Sequence, residues 1–309
     1  CSDFGDEGQI SLLAGMGEVK PYYYFVTSPP TLASGVLVVG GWVADNQETN
    51  EPSGVVRAYD PRTGELAWAW DMGREGDTSL PPQGETYTRG TPNVWSLTAA
   101  DDELGLVYVP TGNATPDYFG GHRTEIMDKY ASSIVAIDAK TGLTRWHFQT
   151  THHDIWDYDV PSQPTLVDIN LDGALRKAVI VPTKRGEVFV LDRVTGESLT
   201  EVSERPVPQT DLPNERSSAT QPFSTGMPSF AHPRIREQDL IGITPFDQMA
   251  CRTAFHQLRY EGPMTPPSVQ GTLLYPGPAG GMNWGSVAVD EQRQLLVVNN
   301  LHLPWQVKM

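Results

Sequence analysis

The sequence predicts an all-β protein folded as a β-propeller, and three observations carry that expectation. Gly (29) and Pro (26) are abundant, and charged residues make up 19% of the 309 positions, which suits short strands and tight turns better than a helical bundle. One turn motif recurs. "AYDPRTGELAWAW" (58–70), "AIDAKTGLTRWHF" (136–148) and "VLDRVTGESLTEV" (190–202) each read apolar residue, Asp, two variable residues, Thr-Gly and a return strand. A second pattern interleaves with it: "NVWSLTAADDELGLVYVPTGN" (93–113) resembles "NWGSVAVDEQRQLLVVNNLH" (283–302) in its Asn and Trp, alternating strand, acidic turn and Val/Leu strand. Strand pairs that repeat in this way, with aromatic punctuation, mark a propeller.

Each element follows from local chemistry. Asp and Thr-Gly form hairpin turns, and the flanking alternation supplies the strands. In the first two copies a Trp lies four residues past the Gly (Trp68 after Gly64, Trp146 after Gly142), where a large ring can wedge between neighbouring sheets. A β-sandwich of unrelated hairpins gives no reason for that recurrence. Further hairpin strands are expected at "LASGVLVVGG" (32–41) and "KAVIVPTKRGEVFVLD" (177–192). Residues 200–280 break the pattern and begin with the proline-rich, polar "ERPVPQTDLPNERSSATQPFSTGMPSF" (204–230). They read as an insertion on one face, long enough to roof a site. Within them "PFDQMACRTAFHQLRY" (245–260) reads as a short helix, capped by Thr244, with Pro245 and Asp247 in its first turn. Cys251 is expected there as a small buried side chain. Residues 1–309 as a whole read as part of one propeller domain.

Bulk properties narrow the function. The formal net charge is −16 and no basic run occurs, which excludes nucleic acid as a partner, because phosphate neutralisation needs clustered cations. Two cysteines, Cys1 and Cys251, exclude a disulfide framework but not a single bridge. There is no run of 18 apolar residues to span a membrane. The chain starts without Met and looks like a piece of something longer; a lipidated N-terminus at Cys1 is an alternative reading.

"FQTTHHDIWDYDVPSQPTL" (148–166) gathers Asp154, Asp157, Asp159, His152 and His153 around Trp156. Propeller ligand sites lie at the mouth of the central channel, and several residues next to strands could reach it. Asp45 and Asn46 follow "GVLVVGGWV", Asn93 precedes the strand starting at Trp95, and Asp154 and Asp157 follow "TRWHFQT". Carboxylate and amide oxygens suit a hard cation such as Ca²⁺ or Mg²⁺, although one Asp and one Asn cannot complete a shell of about six to eight oxygens. A turn role is open for each of them. His152 and His153, if on a strand, point to opposite faces, and structural roles are expected for both. Lys184 precedes an Arg-Gly turn and is either a solvated turn lysine or a partner for an anionic ligand. No zinc spacing, dinucleotide fingerprint, P-loop or nucleophile elbow is present.

At these residues the chain resembles a known family. "YYYFVTSPPT", "DNQETNEPSGVVRAYD", "TPNVW", "TPDYFGGHR", "HHDIWDYDVPSQPTL", "CRTAFHQLRYEGPMTPPSVQGTL" and "LHLPW" are similar to the membrane-bound quinoprotein dehydrogenases, which use pyrroloquinoline quinone (PQQ) and include glucose and quinate/shikimate dehydrogenases. The resemblance runs through essentially the whole chain. It implies N-terminal transmembrane helices outside this sequence, an eight-bladed periplasmic propeller of which this chain is an incomplete fragment, and ubiquinone as electron acceptor. It implies Asp157 as catalytic base, Asp45 and Asn93 as ligands of Ca²⁺ or Mg²⁺ with Asn46 beside them, and Lys184 against the quinone oxygens. Asn299 and Trp95 would adjoin the cofactor. Cations near Asp157 are expected to hold its pKa low. "PTKRGEVFVLD" and "STGMPSF" look closer to the quinate/shikimate members, and Arg185 would suit a substrate carboxylate; glucose is the alternative. A propeller scaffold lipoprotein and a soluble alcohol dehydrogenase with the same cofactor are the rival readings.

Overall fold

The computed structural model describes residues 2–231 and 233–309, and Cys1 lies outside them. The recurring turn is built as its chemistry requires. Asp60, Asp138 and Asp192 each turn one carboxylate oxygen onto two backbone N–H groups, of Arg62 and Thr63, Lys140 and Thr141, and Val194 and Thr195. The closing Gly64, Gly142 and Gly196 take φ of 75, 75 and 76°, the left-handed region that glycine enters without a Cβ penalty.

These turns join strands of antiparallel sheets. The first sheet holds Thr31–Ala33, Val36–Val39, Val56–Tyr59 and Leu66–Trp70. The second holds Ala99–Asp101, Leu106–Pro110, Ser133–Asp138 and Thr144–Gln149, and the third Thr165–Leu171, Ala174–Pro182 and Val188–Asp192. A hairpin of Val287–Asp290 and Leu295–Val298 follows. In the third copy of the motif the return strand shrinks to a single bridge, Leu191 to Ser198. The chain then leaves to form a separate hairpin, Val202–Pro206 with Thr220–Ser224.

The sheets stack face to face. Val107, Val109, Val135 and Ile137 pack against Val38, Val56, Trp68 and Trp70 of the first sheet. Their neighbours Leu106, Tyr108, Ile134 and Ala136 pack against Val179, Val181, Phe189 and Leu191 of the third. Ala178, Ile180, Val188 and Val190 continue the stack onto Val287, Val289, Leu296 and Val298. Successive residues thus bury on opposite faces, which is why these strands read as continuous apolar runs. The first strands of consecutive sheets lie next to one another, as inner strands around an axis do.

The Trp after each of the first two turns is a spacer. Trp68 donates its indole N–H to the Ala139 carbonyl at 2.8 Å, and Trp146 donates to Arg193 at 3.1 Å. Each ring lies on the glycine of the next sheet's turn: a Cβ on Gly142 would sit 2.8 Å from Trp68, and one on Gly196 2.5 Å from Trp146. Burying a ring of this size contributes on the order of 4 kcal/mol.

Among the described residues two α-helices accompany the sheets. α1 is Glu125–Tyr130, and α2 is Pro245–Gln257, with Thr244 and Asp247 in a reciprocal capping box. The expected burial of Cys251 is corrected: the thiol is free and exposed, and no residue of α2 is buried. The helix lies on the surface and gives a small apolar side chain nothing to pack into.

Gly142→Ala combines left-handed backbone strain with a clash against Trp68. Gly35→Ala has only the strain, since φ is 89° and nothing lies within 4 Å of its Cβ position. The Gly142 variant is expected to lose about 1–3 kcal/mol more, read from urea unfolding midpoints. Equal losses would mean that Trp68 does not hold the sheets in register.

Candidate active site

Asp45, Asn113, Lys184 and Asn299 all follow the second strand of their sheets, and Trp95, Asp157 and Trp284 precede the first strand of the next. With antiparallel strands, both kinds of segment emerge at the same end of the stack. The Asp-Thr-Gly turns lie at the other end. A cavity of about 390 Å³ opens here, lined by Phe25, Thr27, Trp42, Asp45, Trp95, Asp157, Asp159, Lys184 and Trp284.

The acidic stretch folds into a loop rather than a strand. Asp154, fully buried, accepts hydrogen bonds from Ser132 Oγ (2.5 Å) and from the backbone N–H groups of Trp156 and Tyr158 (2.8 Å each). It acts as a template for the bend and leaves Asp157 at φ 63°. The Trp156 indole donates to the Thr265 carbonyl, and the Tyr158 hydroxyl to that of Pro276.

Lys184 is 5% exposed. Its ammonium donates to Asp157 Oδ1 at 2.6 Å and to Asp159 Oδ2 at 3.1 Å. The same Asp159 oxygen accepts from the Trp95 indole N–H at 3.0 Å, and Asp159 Oδ1 accepts from Asn113 N–H at 2.7 Å. Trp95 faces Trp284 with ring centroids 5.7 Å apart.

Asn93 is fully buried and donates to Asp45 Oδ2 at 3.4 Å, while its own Oδ1 is buried with no hydrogen-bond partner. That oxygen and Asp159 Oδ1 each lie 3.4 Å from the Cβ position of Gly112. Among the described residues no three His, Cys, Asp or Glu side chains form a metal cluster by themselves. An orphaned amide oxygen beside a buried carboxylate is nonetheless the donor chemistry a hard cation takes.

Charge is unbalanced at this end. Burial, then the Asp159 charge, pushes the Asp45 carboxyl up to about 7, against Lys184 and Asn93. Burial also raises Asp117, and the Asp157, Asp45 and Asp159 charges add to the rise. The expectation of a low pKa for Asp157 is corrected. Burial raises its carboxyl well above the usual range and outweighs the Lys184 ammonium. Burial alone would lower Lys184, but the charges of Asp157 and Asp159 raise it.

Asp45, Trp95, Asp157 and Lys184 therefore meet at one cavity, with Asn93 beside Asp45. Asn299 lines a neighbouring cavity that shares Trp284. Asn46 is exposed at φ 65°, the geometry of a turn residue. Arg185 faces away: it pairs with Glu187 at 2.9 Å, donates to the Thr150 and Pro222 carbonyls, and lies over the Phe223 ring. It gives no support to a substrate carboxylate beside Asp157. His152 and His153 lie in a turn and hydrogen-bond to Gln149, Glu204, Asp128 and Glu215. Asp159 and Trp284 were not predicted in this cavity. Asp159 could have been found from its i, i+2 spacing to Asp157, and Trp284 from its match to Trp95 in the interleaved repeat.

Lys184→Met would leave Asp157 and Asp159 without their ammonium. In metal-free buffer at pH 7 the free energy of unfolding is expected to fall by about 3–5 kcal/mol. An acid raised in the folded state destabilises only above its unfolded pKa, about 3.9. The deficit should therefore shrink as the pH is lowered towards 4. Identical denaturation midpoints for wild type and variant at pH 7 would count against the ammonium as the group that stabilises these carboxylates.

The family profile described as PQQ, glucose/ethanol/alcohol dehydrogenase, beta-propeller domain matches residues 1–309. The glycerol dehydrogenase large subunit of Gluconobacter oxydans (strain 621H) is 47% identical over 302 residues, 97% of this chain and 41% of that one. The quinoprotein glucose dehydrogenase of Escherichia coli (strain K12) is 44% identical over 310 residues, 100% of this chain and 39% of that one. The quinate/shikimate dehydrogenase (quinone) of Acinetobacter baylyi (strain ATCC 33305 / BD413 / ADP1) is 43% identical over 305 residues, 98% and 38%. Among solved structures, the quinohemoprotein alcohol dehydrogenase from Comamonas testosteroni superposes with a TM-score of 0.64 at 23% identity, over 97% of this chain and 40% of that one, a likeness of fold. The chain spans about two fifths of the length of these relatives. It belongs to the PQQ family of glucose/ethanol/alcohol dehydrogenase β-propeller domains.

Proposed function

We propose that the protein is a PQQ-dependent dehydrogenase that oxidises a secondary hydroxyl of a small cyclic polyol and passes the electrons to ubiquinone. The observation that carries this reading is the convergence of Asp157, Asp159, Lys184 and Trp95 on one cavity with the Asp45–Asn93 pair at its edge. When bound, PQQ would supply the hydride acceptor, and Ca²⁺ or Mg²⁺ a Lewis acid and positive charge beside it. Asp45 and the free Oδ1 of Asn93 would hold the ion, and Trp95, Asn299 and Asn46 would adjoin the cofactor. Asp157, held by Lys184, takes the proton of the substrate hydroxyl. Lys184 also offsets negative charge on acceptor oxygens.

Quinate and shikimate are the substrates proposed from the resemblance of "PTKRGEVFVLD" and "STGMPSF". A second reading, a neutral polyol such as glucose or glycerol, is favoured by the cavity's charge: among its lining residues the one cation, Lys184, is already paired with two carboxylates. The domain is proposed to be periplasmic in an inner-membrane protein; among the described residues no helix is long and apolar enough to cross a membrane. Residues 200–280 are proposed as an insertion over one face.

Reconstitution of the full-length protein with PQQ and Ca²⁺ or Mg²⁺, followed by dye reduction with quinate, shikimate, glucose and glycerol, tests this. Asp157→Asn is expected to lower turnover about 10²–10⁴-fold while retaining bound PQQ, and Asn93→Ala to abolish the rise in Tm on adding Ca²⁺. Normal turnover by Asp157→Asn would remove the base assignment.

A further inference from the structure

A densely built polar cluster outside the cavity centres on His153. Its side chain is 3% exposed. Nδ1 lies 2.9 Å from Asp128 Oδ2, and Nε2 lies 3.0 Å from Glu215 Oε1. A neutral imidazole has one N–H, and a carboxylate only accepts, so two carboxylates on two ring nitrogens call for the imidazolium. Burial by itself would lower the imidazole pKa, but hydrogen bonds to Asp128 and Glu215 raise it overall. The effect is reciprocal: burial would raise both acids, and the His153 hydrogen bond, joined by the Arg216 and Arg123 charges at Asp128 and by the Gly120 and Arg216 N–H groups at Glu215, brings both below their ordinary values.

The other charges facing the cluster are Arg216, paired with Asp128, and Arg123, whose guanidinium donates to the carbonyls of Asp154 and Pro116. The Asp154 carboxylate is turned away onto Ser132 and the loop N–H groups. The ring has no slack, since a Cβ on Gly120 would sit 2.6 Å from His153 Cε1, and the Gly120 N–H donates to Glu215. Three segments meet on one side chain: α1 through Asp128, residues 207–219 through Glu215, and the loop carrying Asp157 through His153 itself, at φ 41°. The next residue is Asp154, the template of the bend.

We propose that His153, clasped as an imidazolium between Asp128 and Glu215, is a positioning residue that fixes the start of the loop presenting Asp157. This rests on the reading of Asp157 as the base. The clasp needs ionised acids and a charged imidazole, so it holds above the lowered pKa values of Asp128 and Glu215 and is lost as pH rises through the raised pKa of His153.

The test uses the full-length holoenzyme and the most active donor of quinate, shikimate, glucose and glycerol. His153→Gln is expected to lower kcat roughly 10- to 100-fold near pH 6, with KM changed less than about threefold. Its Tm deficit against wild type should be largest at about pH 6 and disappear in alkali. Glu215→Gln, which keeps the shape but removes one charge, should move the alkaline limb of the kcat profile to lower pH by about one unit, and it serves as the test if His153→Gln fails to fold. A Tm loss in either variant with kcat and its pH profile unchanged would make the clasp merely structural and overturn the proposal. If Asp157→Asn is inactive but the His153 and Glu215 variants turn over normally, only this inference fails. If Asp157→Asn is active, the base reading fails first.

Discussion

One ammonium group holds the cavity end of this molecule together. Lys184 comes from the turn after the second strand of the third sheet, while Asp157 and Asp159 come from the segment linking the second sheet to the third. Trp95 comes from the link between the first and second and joins through Asp159. Two carboxylates this close, Asp159 buried and Asp157 largely so, repel each other and lose hydration, an arrangement that persists only if a counter-charge is built in. The cation reaches both acids because sheets stacked around an axis bring their second-strand turns and their linking segments to the same mouth.

The two ends of the stack divide the work. At the far end, Asp-Thr-Gly turns repeat with nearly identical φ at glycine, and each Trp docks on the next turn. That end sets the spacing and angle between sheets. At the near end only the Asn and Trp of the interleaved pattern recur (Asn93 and Trp95, Asn283 and Trp284), and its loops carry Asp45, Asn93, Asp157 and Lys184. A rigid scaffold with variable loops on one side is how a propeller can place polar groups that would be costly on a mobile segment. The third copy shows the limit of this scheme. Its return strand is cut to one bridge, and the chain departs into the hairpin beginning at Val202.

Most of the scaffold was legible in the sequence because it rests on local rules. The Asp and Gly of each turn satisfy backbone N–H groups and φ within a few residues, and the alternation of buried faces follows from strand periodicity. The site was legible in part. Spacing brought Asp45, Asn93, Asp157 and Lys184 into view, and the resemblance gave them roles. Asp159 was seen as one more acid in a crowded stretch, since its pairing with Lys184 and Trp95 is a long-range contact. Arg185 misled because its neighbour Lys184 points into the cavity, whereas Arg185 turns to Glu187 on the other side of the chain. Cys251 departs from the usual burial of a free cysteine because its helix lies wholly on the surface, which capping signals in the sequence do not reveal. A nearby cation is visible in a sequence and the depth of burial is not, so the sequence points to a low pKa for Asp157 where burial in the fold raises it.

The crowd of acids and imidazoles around Trp156 finds its physical reason in the backbone. Asp157 sits at φ 63° and His153 at 41°, left-handed conformations that cost a residue with a Cβ about 1–2 kcal/mol each. A short loop held in two such places reverts unless other interactions over-determine it. Asp154 accepts two hydrogen bonds from backbone N–H groups of the bend and a third from Ser132, each of the charge-assisted kind that contributes about 1.5–3 kcal/mol. The His153 clasp anchors the loop before the bend, and the Lys184 pair anchors it after. Each charged residue in the stretch thus has its own task in the loop, and together they keep one carboxylate aimed into the cavity at an angle that an unstrained chain would not hold.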